Sequence, residues 1–477
     1  MDDILIIGAG VTGCFIAREL SRYMTKVVVL DKENDVGNYS SMANSAIVHS
    51  GYDPESGSLK ALLNVQGNAM YDRVCKELDV TFQRIGSLTV AVFDEQLPLL
   101  QELVKRAAIN GVEVKLLSAD EVKAMEPNVV DTVKGALYAP SAGVIDPFEL
   151  CVHLMENAMD NGAKLYLNEE VVEIRSFGEL YEVRTKKNTY YAKYVINAAG
   201  VQADFISQTV APKTFSIAPR KGEYYVLDYT QTPLVNHVVF PLPSVLGKGI
   251  LVTPTYGGNY LVGPSSAIID DKTDLSTDVM TMNEVKKSAS QLIKNIPWNK
   301  VIRAFSGLRA TPSTHDFIIE EAAPNFINVA GIESPGLASS PAIAKKVVEE
   351  FIAKKIKLIP NPNFNPLVRP YHRFKETSEE AWHQLISKDK RYARMVCRCE
   401  TVSEGEIRDL LNRNCAPHSI KGVKKRVRAG FGRCQGGFCA PNVLAILADH
   451  YHIKVTEVPY DEPGTNILKQ PTKEVGE

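Results

Sequence analysis

The first 31 residues of this 477-residue chain contain the pattern that most restricts its fold. A short apolar run at residues 3–7 predicts a buried strand, and a glycine-rich turn follows it directly. A helix over residues 14–23 and a second apolar strand over residues 26–30 come next. A strand, a glycine turn, a helix and a strand in this order form a βαβ unit with parallel strands. We therefore expect an α/β domain at the N-terminus.

The turn has the spacing Gly-x-Gly-x-x-Gly, formed by Gly8, Gly10 and Gly13, and Asp31 follows 23 residues after Gly8. These glycines allow a tight turn, close approach of the backbone to a pyrophosphate, and close packing of helix on strand. The helix N-terminus offers free N–H groups to phosphates. Asp31 can accept hydrogen bonds from a ribose diol and would repel a 2′-phosphate, which disfavours NADP. A turn without ligand can carry the same letters, but the full context predicts NAD or FAD.

Two distant segments favour FAD over NAD. Residues 194–200 predict a strand that ends in small residues and can pass close under a bound cofactor. Residues 328–337 predict a strand, a glycine turn and a helix start, which can direct N–H groups at the electron-rich end of a flavin. A cofactor contacted near residues 10, 200 and 335 must be long, so the sequence predicts FAD.

Composition excludes several classes of protein. Lys and Arg number 54 against 56 Asp and Glu, and 45% of residues are hydrophobic, as in ordinary soluble globular proteins. A net charge of −2 argues against a protein that coats nucleic acid. No apolar run approaches the ~18 residues of a membrane span, and no secretory signal is visible. We expect a cytoplasmic protein without a membrane span, at most peripheral to a membrane through partners.

The middle of the chain predicts strands, and two helices flank it. The predicted helices cover residues 145–163 and 341–354. Alternating polar and apolar residues predict one antiparallel sheet, from strands at 181–185, 223–227, 250–253 and 260–262.

Five of the eight cysteines lie in the last fifth of the chain. Cys397 and Cys399 form a C-x-C pair, and after 34 residues Cys434 and Cys439 form a C-x4-C pair. Four thiolates can hold zinc or an iron–sulfur cluster, and free buried cysteines are a third possibility. The C-x-C spacing is tighter than the C-x2-C of structural zinc and favours a cluster. Cys415 falls outside the pattern, and we interpret it as structural.

Local signals around the cysteines predict short helices. Ser403 and Glu406 have the spacing of a capping box, which starts a helix after Cys399. Pro441 suits the first turn of another helix, whose N-terminus would face the thiolates. The basic run 424–428 could tune a cluster or dock a redox partner, but we expect most of it to be a solvated face.

Residues 1–355 resemble the family of FAD-dependent amine and hydroxy-acid oxidoreductases that includes D-amino-acid oxidase and glycerol-3-phosphate dehydrogenase. The resemblance rests on Asp3-Ile-Leu-Ile-Ile-Gly-Ala-Gly-Val-Thr-Gly, Asn197-Ala-Ala-Gly and Ser334-Pro-Gly-Leu. It implies an α/β, Rossmann-like FAD-binding domain and a mixed, mostly antiparallel substrate domain of the α+β type. Residues 428–439 resemble the 2Fe–2S domain of bacterioferritin-associated ferredoxin, as fused to anaerobic glycerol-3-phosphate dehydrogenases. We therefore expect a small helical iron–sulfur domain at the C-terminus.

These expectations divide the chain into four parts. The oxidoreductase domain covers 1–355, a proline-rich linker 356–390, the 2Fe–2S domain 391–455, and a tail 456–477. Within the first part, we expect FAD-binding segments at about 1–75, 145–215 and 310–355, and substrate-binding segments at about 76–144 and 216–309.

His49 is the candidate catalytic base. A flavin that oxidises an alcohol needs a base for the hydroxyl proton, and histidine titrates near neutrality. A single histidine on an apolar stretch is more often a hydrogen-bonded core residue. However, Asn44-Ser-Ala-Ile-Val-His49-Ser-Gly51 resembles the segment whose histidine faces the flavin in glycerol-3-phosphate oxidases and dehydrogenases and in 2-hydroxyglutarate dehydrogenases.

Lys248, Arg309 and Ser334 are the candidate substrate-binding residues. Most lysines and arginines are simply solvated, but the segments 247–254, 260–264 and 306–309 resemble the substrate domain of soluble glycerol-3-phosphate oxidases. There, the matching residues contact the phosphate or glycerol moiety. Gly57-Ser-Leu-Lys-Ala61 is equally typical of 2-hydroxyglutarate dehydrogenases, so both substrates stay open.

The expected activity is the oxidation of a small anionic secondary alcohol, glycerol 3-phosphate first, by FAD. Electrons would leave through a 2Fe–2S cluster held by Cys397, Cys399, Cys434 and Cys439 to a second flavoprotein or electron-transfer subunit. The alternatives are an L-2-hydroxyglutarate dehydrogenase and a non-catalytic FAD and iron–sulfur subunit. We expect the cofactor to be contacted by Gly8, Gly10, Gly13, Asp31, Asn44, Ser45, Val171, Ala199, Gly200, Gly331, Gly336 and Leu337.

Overall fold

The computed structural model describes residues 2–243 and 249–470. Its strands are β1 (Asp2–Ile7), β2 (Val27–Leu30), β3 (Ile47–Val48), β4 (Phe82–Gln83), β5 (Ser87–Ala91), β6 (Lys115–Ser118), β7 (Gly135–Ala139), β8 (Gly143–Ile145), β9 (Lys164–Tyr166), β10 (Val171–Phe177), β11 (Leu180–Thr185), β12 (Thr189–Asn197), β13 (Ile217–Leu227), β14 (Val238–Pro241), β15 (Leu251–Pro254), β16 (Tyr260–Gly263), β17 (Ala267–Ile268), β18 (Val301–Pro312), β19 (Ile318–Ala323), β20 (Phe326–Ala330), β21 (Met395–Cys397) and β22 (Val402–Ser403).

The helices alternate with these strands in the first half and dominate the C-terminal end. They are α1 (Val11–Ser21), α2 (Leu59–Asn68), α3 (Tyr71–Leu78), α4 (Leu97–Asn110), α5 (Ala119–Met125), α6 (Pro147–Asp160), α7 (Ala203–Gln208), α8 (Val279–Ser290), α9 (Gly336–Lys346), α10 (Glu379–Lys388), α11 (Glu404–Leu411), α12 (Ile420–Val427) and α13 (Ala440–Tyr451). None of the described helices is long and apolar enough to cross a bilayer.

An eight-stranded sheet forms the N-terminal domain, in the order β10-β11-β12-β1-β2-β9, with β20 also paired to β12 and β19 to β20. The strands β12, β1, β2, β9 and β20 pair in parallel. Helices α1, α6 and α9 pack on one face of this sheet around Ile4, Ile6 and Ile196. The predicted α/β class of the N-terminal domain is confirmed.

A nine-stranded, mostly antiparallel sheet forms the second domain, in the order β17-β13-β16-β15-β14-β5-β7-β6, with β18 paired to β13. Among the described strand pairs of this sheet, only β14–β5 is parallel. Helix α8 covers it, and Val285 and Ala289 of that helix are fully buried. The prediction of a mixed, mostly antiparallel second domain is confirmed.

The strand at 181–185 belongs to the first sheet, so the prediction of a single antiparallel sheet was wrong for this segment. It forms most of β11, which pairs with β10 and β12 in an antiparallel meander. Short turns join these three strands, so they pair with one another at the edge of the parallel sheet. The other three predicted strands do lie together, in β13, β15 and β16.

Helix α9 begins at Gly336, five residues before the predicted start at Pro341. Proline has no N–H to donate to the carbonyl four residues earlier, here that of Leu337. The hydroxyl group of Tyr71 donates to that carbonyl instead. A buried tyrosine therefore allows the proline inside the helix.

Helices α11, α12 and α13 form a third core around Ile407, Val423 and Leu447, as predicted for a small helical C-terminal domain. The predicted linker (356–390) contains helix α10. Its proline-rich part lies along the first domain: the N–H of Met24 donates to Ile359, and the N–H of Val368 donates to Glu77. The proposed domain boundaries stay a prediction.

Candidate active site and candidate cluster site

The glycine turn between β1 and α1 has no room for side chains. Gly8 has a φ of +108°, and a Cβ there would lie 2.4 Å from the carbonyl oxygen of Ala198. A Cβ on Gly13 would lie 1.9 Å from the carbonyl oxygen of Gly8. The first and third glycines thus bring β1, β12 and α1 together, and Gly10 lines the adjacent cleft, where a Cβ would lie 3.2 Å from the hydroxyl oxygen of Ser41.

Asp31 follows β2 and is bound to this turn. Its carboxylate accepts from the N–H of Ala9 at 2.5 Å and from the N–H of Glu33 at 2.8 Å. Burial raises the pKa of Asp31, although these two N–H groups act in the opposite direction. The carboxylate is therefore held beside the glycine turn, where a ribose diol would follow a bound pyrophosphate.

A cleft of about 1460 Å³ opens between the two sheets and extends along the glycine turn. Its walls come from the N-terminal end of α1, the segment 40–49, strands β13 and β18, and the start of α9. Nine of the predicted site residues line it: Gly10, Asn44, Ser45, His49, Gly200, Arg309, Ser334, Gly336 and Leu337. Glycines and two helix N-termini along one wall fit a long, anionic dinucleotide such as FAD.

The other predicted residues are placed differently. Gly8, Gly13 and Asp31 shape the turn behind the cleft. Val171 is buried at the start of β10, and Ala199 and Gly331 follow β12 and β20 without lining the cleft. Lys248 lies outside the described residues. All of these roles stay predictions.

Asn44 shapes the loop that carries the predicted base. Its side-chain amide donates to the carbonyls of Ser40 and Ser41, and its oxygen accepts from the N–H of Ala46. The loop is held closely, because a Cβ on Gly307 of β18 would lie 2.1 Å from the carbonyl oxygen of Ala43. This close approach brings β18 of the second domain against the loop at residues 40–49.

His49 follows strand β3 and lines the cleft. The side-chain amides of Asn64 and Asn68 donate to its backbone carbonyl at 2.6 and 3.0 Å. Its ring lies 5.8 Å from the ring of Phe240, centroid to centroid. Two amides from α2 therefore hold the backbone at His49, and the imidazole is half-buried at the cleft wall.

Two guanidinium groups face the cleft from adjacent strands. Arg220 of β13 and Arg309 of β18 are register partners, so their side chains leave the sheet on the same face. Arg220 lies 3.3 Å from the hydroxyl of Ser266, and Arg309 lies 3.4 Å from the carbonyl of Ser265. Within residues 2–243 and 249–470, neither forms an ion pair with a carboxylate. Two such cations favour an anionic ligand.

No role was predicted from the sequence for Arg220, Tyr224 or Lys60, although Lys60 lies in the motif at residues 57–61. The Tyr224 hydroxyl lies 3.1 Å from the hydroxyl of Ser45, and its ring stacks on Phe305 at 4.7 Å. Lys60 is bound to Glu333 at 2.8 Å, next to Ser334. The positions of these side chains in the cleft depend on strand register and on tertiary contacts, which cannot be read from the local sequence.

The four C-terminal cysteines converge as two pairs. The sulfur atoms of Cys399 and Cys434 are 3.8 Å apart. The Cys439 thiol donates to Cys397, which lowers the pKa of Cys397 to about 6 and raises the pKa of Cys439. Among the described side chains, no three of the ligand types meet in the arrangement of a single-ion site. Two neighbouring thiol pairs fit the all-cysteine ligand set of an iron–sulfur cluster.

Backbone N–H groups face these sulfurs. Burial alone would raise the pKa of Cys434, but the N–H groups of Phe438 and Gly436 outweigh it and lower that pKa. Helix α13 begins directly after Cys439 with Pro441 in its first turn, as predicted. The capping box is also present, since Ser403 and Glu406 bond reciprocally at the start of α11.

Comparison with known proteins finds a matching family model for the N-terminal part of the chain and another for the cysteine-containing C-terminal part. Residues 3–350 match the family model "FAD dependent oxidoreductase", and residues 395–449 match the "BFD-like [2Fe-2S] binding domain". The chain belongs to the FAD-dependent oxidoreductase family. Its cofactors are FAD and a 2Fe–2S cluster.

The oxidoreductase is similar along its whole length to a glycerol 3-phosphate dehydrogenase of Caloramator mitchellensis, with 48% identity over 99% of both chains. It is also similar to the structure of a dithionite-reduced L-α-glycerophosphate oxidase from Mycoplasma pneumoniae with FAD bound. That match has a TM-score of 0.74 and 30% identity, over 78% of this chain and 99% of the other. A mitochondrial L-2-hydroxyglutarate dehydrogenase of Arabidopsis thaliana is 28% identical over 73% of this chain and 83% of its own.

The basic run 424–428 of the oxidoreductase is buried, so the prediction of a solvated face was wrong. Arg426 and Lys425 bind the carboxylate of Asp35 at 2.8 and 3.2 Å, and all three side chains are at most 5% exposed. Burial alone would raise the pKa of Asp35, but the two cations outweigh it and hold that pKa below its ordinary value. These cations are buried because α12 packs on the FAD-binding domain, where an acid neutralises them.

A second buried ion pair joins the same two domains. Arg413 of the oxidoreductase binds Glu156 of α6 at 2.9 Å, and both side chains are nearly inaccessible. Tyr371 of the linker donates to the same carboxylate and stacks on His153 at 4.2 Å. The cluster-binding domain is thus attached through charges that the first domain alone does not satisfy.

Proposed function

We propose that this oxidoreductase oxidises sn-glycerol 3-phosphate to dihydroxyacetone phosphate and delivers the electrons to a protein partner. The observation that carries the proposal is the cleft in which His49 and the guanidinium groups of Arg220 and Arg309 face the predicted flavin wall. A base and two cations suit an alcohol that bears a phosphate. The full-length similarity to a glycerol 3-phosphate dehydrogenase supports the same substrate.

FAD, when bound, supplies the acceptor for the two electrons and the hydrogen of the substrate C–H bond. His49 takes the proton of the C2 hydroxyl group at a ring nitrogen. The amides of Asn64 and Asn68 fix the backbone at this residue, so the imidazole is oriented before the substrate arrives.

In this proposal Arg309 holds the phosphate, and its register partner Arg220 supplies a second cation. Arg309 offers a planar fork to two phosphate oxygens, and Ser334 offers a hydroxyl. Lys248, which precedes β15, is proposed as a further point charge on the same anion. Ser334 lies two residues before the start of α9, and Gly336 and Leu337 at that start line the same cleft.

The 2Fe–2S cluster, when bound by Cys397, Cys399, Cys434 and Cys439, supplies a one-electron carrier. A one-electron outlet suits a dehydrogenase whose acceptor is another protein. We therefore propose a second flavoprotein or electron-transfer subunit as the partner, and a cytoplasmic complex that reaches a membrane surface only through that partner.

Anaerobic reduction of the bound flavin tests the substrate. Glycerol 3-phosphate should bleach the flavin within one turnover time, and L-2-hydroxyglutarate at equal concentration should not. Bleaching by L-2-hydroxyglutarate alone would replace the proposed function by the alternative dehydrogenase. Bleaching by neither substrate, in protein with full FAD and iron content, would favour the non-catalytic subunit.

His49→Ala should lower kcat for glycerol 3-phosphate by roughly 10²- to 10⁴-fold, because a general base contributes about that much. FAD content and the cluster spectrum should stay as in the wild type. His383→Ala, at an exposed position of α10, is the matched control and should leave kcat unchanged. Unchanged turnover in the His49 variant would remove this residue from the mechanism.

A further inference from the structure

The two cysteine pairs differ in their exposure. Cys397 and Cys439 are each 2% exposed, whereas Cys399 is exposed and Cys434 is half-buried. The buried pair lies on the inner side, where the ring of Phe431 in the same loop is 5.5 Å from the ring of Phe148 in α6. The cysteine loop therefore has one side against the FAD-binding domain and one side toward solvent.

An exposed phenylalanine stands on the solvent side. Phe438 lies between Cys434 and Cys439 and is 84% exposed, the largest exposure of any described large hydrophobic residue. Gly437 and Pro441 beside it are also exposed. A phenylalanine at this exposure contributes nothing to the core of its own domain, and aromatic anchors of this kind dominate the energetics of protein interfaces.

Two cations flank this phenylalanine. Arg398 lies between Cys397 and Cys399 and is exposed, and within the described chain it has no carboxylate in ion-pair range. Arg433 precedes Cys434, is 69% exposed, and reaches Asp228 only at the 4.0 Å limit. Because the sulfurs of Cys399 and Cys434 are 3.8 Å apart, the two arginines border the same small surface.

The two chain segments that carry these residues contain no acid. Residues 430–448 contain no aspartate or glutamate, and neither do residues 393–399. The nearest acid in the sequence, Glu400, has 9% of its side chain exposed and is bound by Arg428 at 2.9 Å and by Lys375 at 3.4 Å. We call the surface formed by Arg398, Arg433, Gly437, Phe438 and Pro441 the cluster-edge patch.

We propose that the cluster-edge patch is the docking surface for an acidic one-electron carrier protein, with Phe438 as its apolar anchor. The proposal rests on the proposed function for the source of electrons. Each alcohol oxidised gives up two electrons and two protons; the electrons go singly to two carrier molecules, and the protons go to solvent. Positive charge around an apolar centre attracts an acidic partner and orients it over the cysteines.

Two carrier proteins of opposite charge test the patch. The probes are plastocyanin, which is acidic, and cytochrome c, which is basic, both supplied oxidised to the holoenzyme. The holoenzyme is reduced beforehand with stoichiometric dithionite, so that the result does not depend on the substrate. We expect wild-type enzyme to reduce plastocyanin at least about tenfold faster than cytochrome c at low salt, and this preference should shrink as salt rises.

The double variant Arg398→Glu/Arg433→Glu should invert this preference, and Phe438→Ala should slow plastocyanin reduction by about threefold or more. Binding of plastocyanin to the oxidised enzyme should weaken in parallel. Matched controls are Arg73→Glu, whose side chain is 67% exposed on α3, and Phe177→Ala, which is 60% exposed on β10. Both controls should behave as the wild type, and all variants should keep the iron content and the spectrum of the reduced cluster.

Several outcomes would overturn the proposal. Equal rates with the two carriers, or variants that match the wild type, would show that the patch does not select a partner. The proposal would also be overturned if the reduced wild-type enzyme reduced ferricyanide but not plastocyanin. Phe438-dependent sedimentation with anionic lipid vesicles, without carrier selectivity, would assign the patch to a membrane surface instead. If glycerol 3-phosphate fails to bleach the flavin but dithionite-reduced enzyme still discriminates, the proposed function fails and the docking surface stands.

Discussion

Arg309 reaches the cleft because the residue opposite its guanidinium is a glycine. A Cβ on Gly222 of β13 would lie 2.7 Å from Nη2 of Arg309 and 2.8 Å from Cβ of Pro264. The glycine therefore leaves the space that the guanidinium needs beside the sheet. Two residues on neighbouring strands, one of them without a side chain, therefore determine where this guanidinium lies.

Arg309→Lys should raise KM for glycerol 3-phosphate by roughly 10- to 100-fold, with a smaller effect on kcat. A lysine keeps the charge but loses the planar fork, and a hydrogen bond to a charged group contributes about 1.5–3 kcal/mol. Steady-state kinetics with an artificial acceptor measure the change. Arg175→Lys, at an exposed position on β10, is the control and should not alter KM.

Gly222→Ala should also raise KM for glycerol 3-phosphate, although the substituted residue carries no charge. The added methyl group must displace the guanidinium of Arg309, because Pro264 and the carbonyl of Ser265 close the other directions. If KM stays at the wild-type value while the protein is folded, Arg309 does not hold the phosphate in the position proposed.

Resemblance to a family was sufficient to nominate His49, Arg309 and Ser334, because each lies in a recognisable local motif. It could not nominate Arg220, since the importance of this residue comes from its register with Arg309 across β13 and β18. Nor could it explain Gly222, whose absent side chain matters only to a residue on another strand. Motifs can be recognised in the local sequence, whereas the register between distant strands is known only once the fold is known.

At the scale of elements, helix α2 approaches α9 through Gly67. A Cβ on Gly67 would lie 2.1 Å from the carbonyl oxygen of Ala338, in the first turn of α9. The same α2 carries Asn64 and Asn68, which hold the backbone at His49. One helix therefore positions both the predicted base and the start of α9 that lines the cleft.

Gly67→Ala should separate these helices and weaken FAD binding. An extra methyl group in a closely packed contact costs about 1–3 kcal/mol, and here it pushes directly on the start of α9. We expect a lower Tm for the apoprotein and a higher Kd for FAD in reconstitution titrations. Gln66→Ala, at the exposed neighbouring position on α2, is the control and should change neither quantity.

Most of the helices and strands that were predicted from the sequence lie close to their observed places, and the predictions failed where a tertiary contact overrides a local rule. Pro341 normally marks a helix start, but the hydroxyl of Tyr71 satisfies the carbonyl that the proline leaves unbonded. The basic run 424–428 has the composition of a solvated face, but Asp35 neutralises it in the domain interface. Each of these decisive partners is hundreds of residues away in the chain.

At the scale of the whole molecule, the two cofactor domains are joined by buried ion pairs. Asp35, Arg426 and Lys425 form one of them, and Glu156 and Arg413 form the other. Breaking a buried pair on one side leaves an uncompensated charge, which costs about 3–5 kcal/mol. The attachment of the C-terminal domain therefore depends on very few carboxylates.

Asp35→Asn should loosen the C-terminal domain and remove part of the acid sensitivity of the protein. The pKa of Asp35 is lowered in the folded protein, so its charge stabilises the interface above the ordinary carboxyl pKa of about 4. That stabilisation is lost as the pH falls from about 4 toward the lower folded pKa. Thermal unfolding of the wild type between pH 7 and pH 3, followed by cluster absorbance, should show this loss.

The Asp35→Asn variant should have a lower Tm than the wild type at pH 7, and its Tm should fall less as the pH is lowered. Asp72→Asn is the control. Asp72 pairs with Arg84 at the surface and has 64% of its side chain exposed, and such surface pairs contribute at most about 1 kcal/mol. A pH profile of the Asp35 variant that parallels the wild type would contradict the role assigned to this carboxylate.

The arrangement of these charges has a consequence for protein engineering. Asp35 and Glu156 belong to the FAD-binding domain, yet every described cation that pairs with them lies in the C-terminal part of the chain. A deletion that ended the chain near residue 355 would leave both acids on a newly bared face, next to apolar groups that Val368 and Tyr371 now cover. Converting this enzyme into a cluster-free oxidase therefore requires redesign of that face as well as deletion of the iron–sulfur domain. Deletion alone would expose the buried acids and apolar groups.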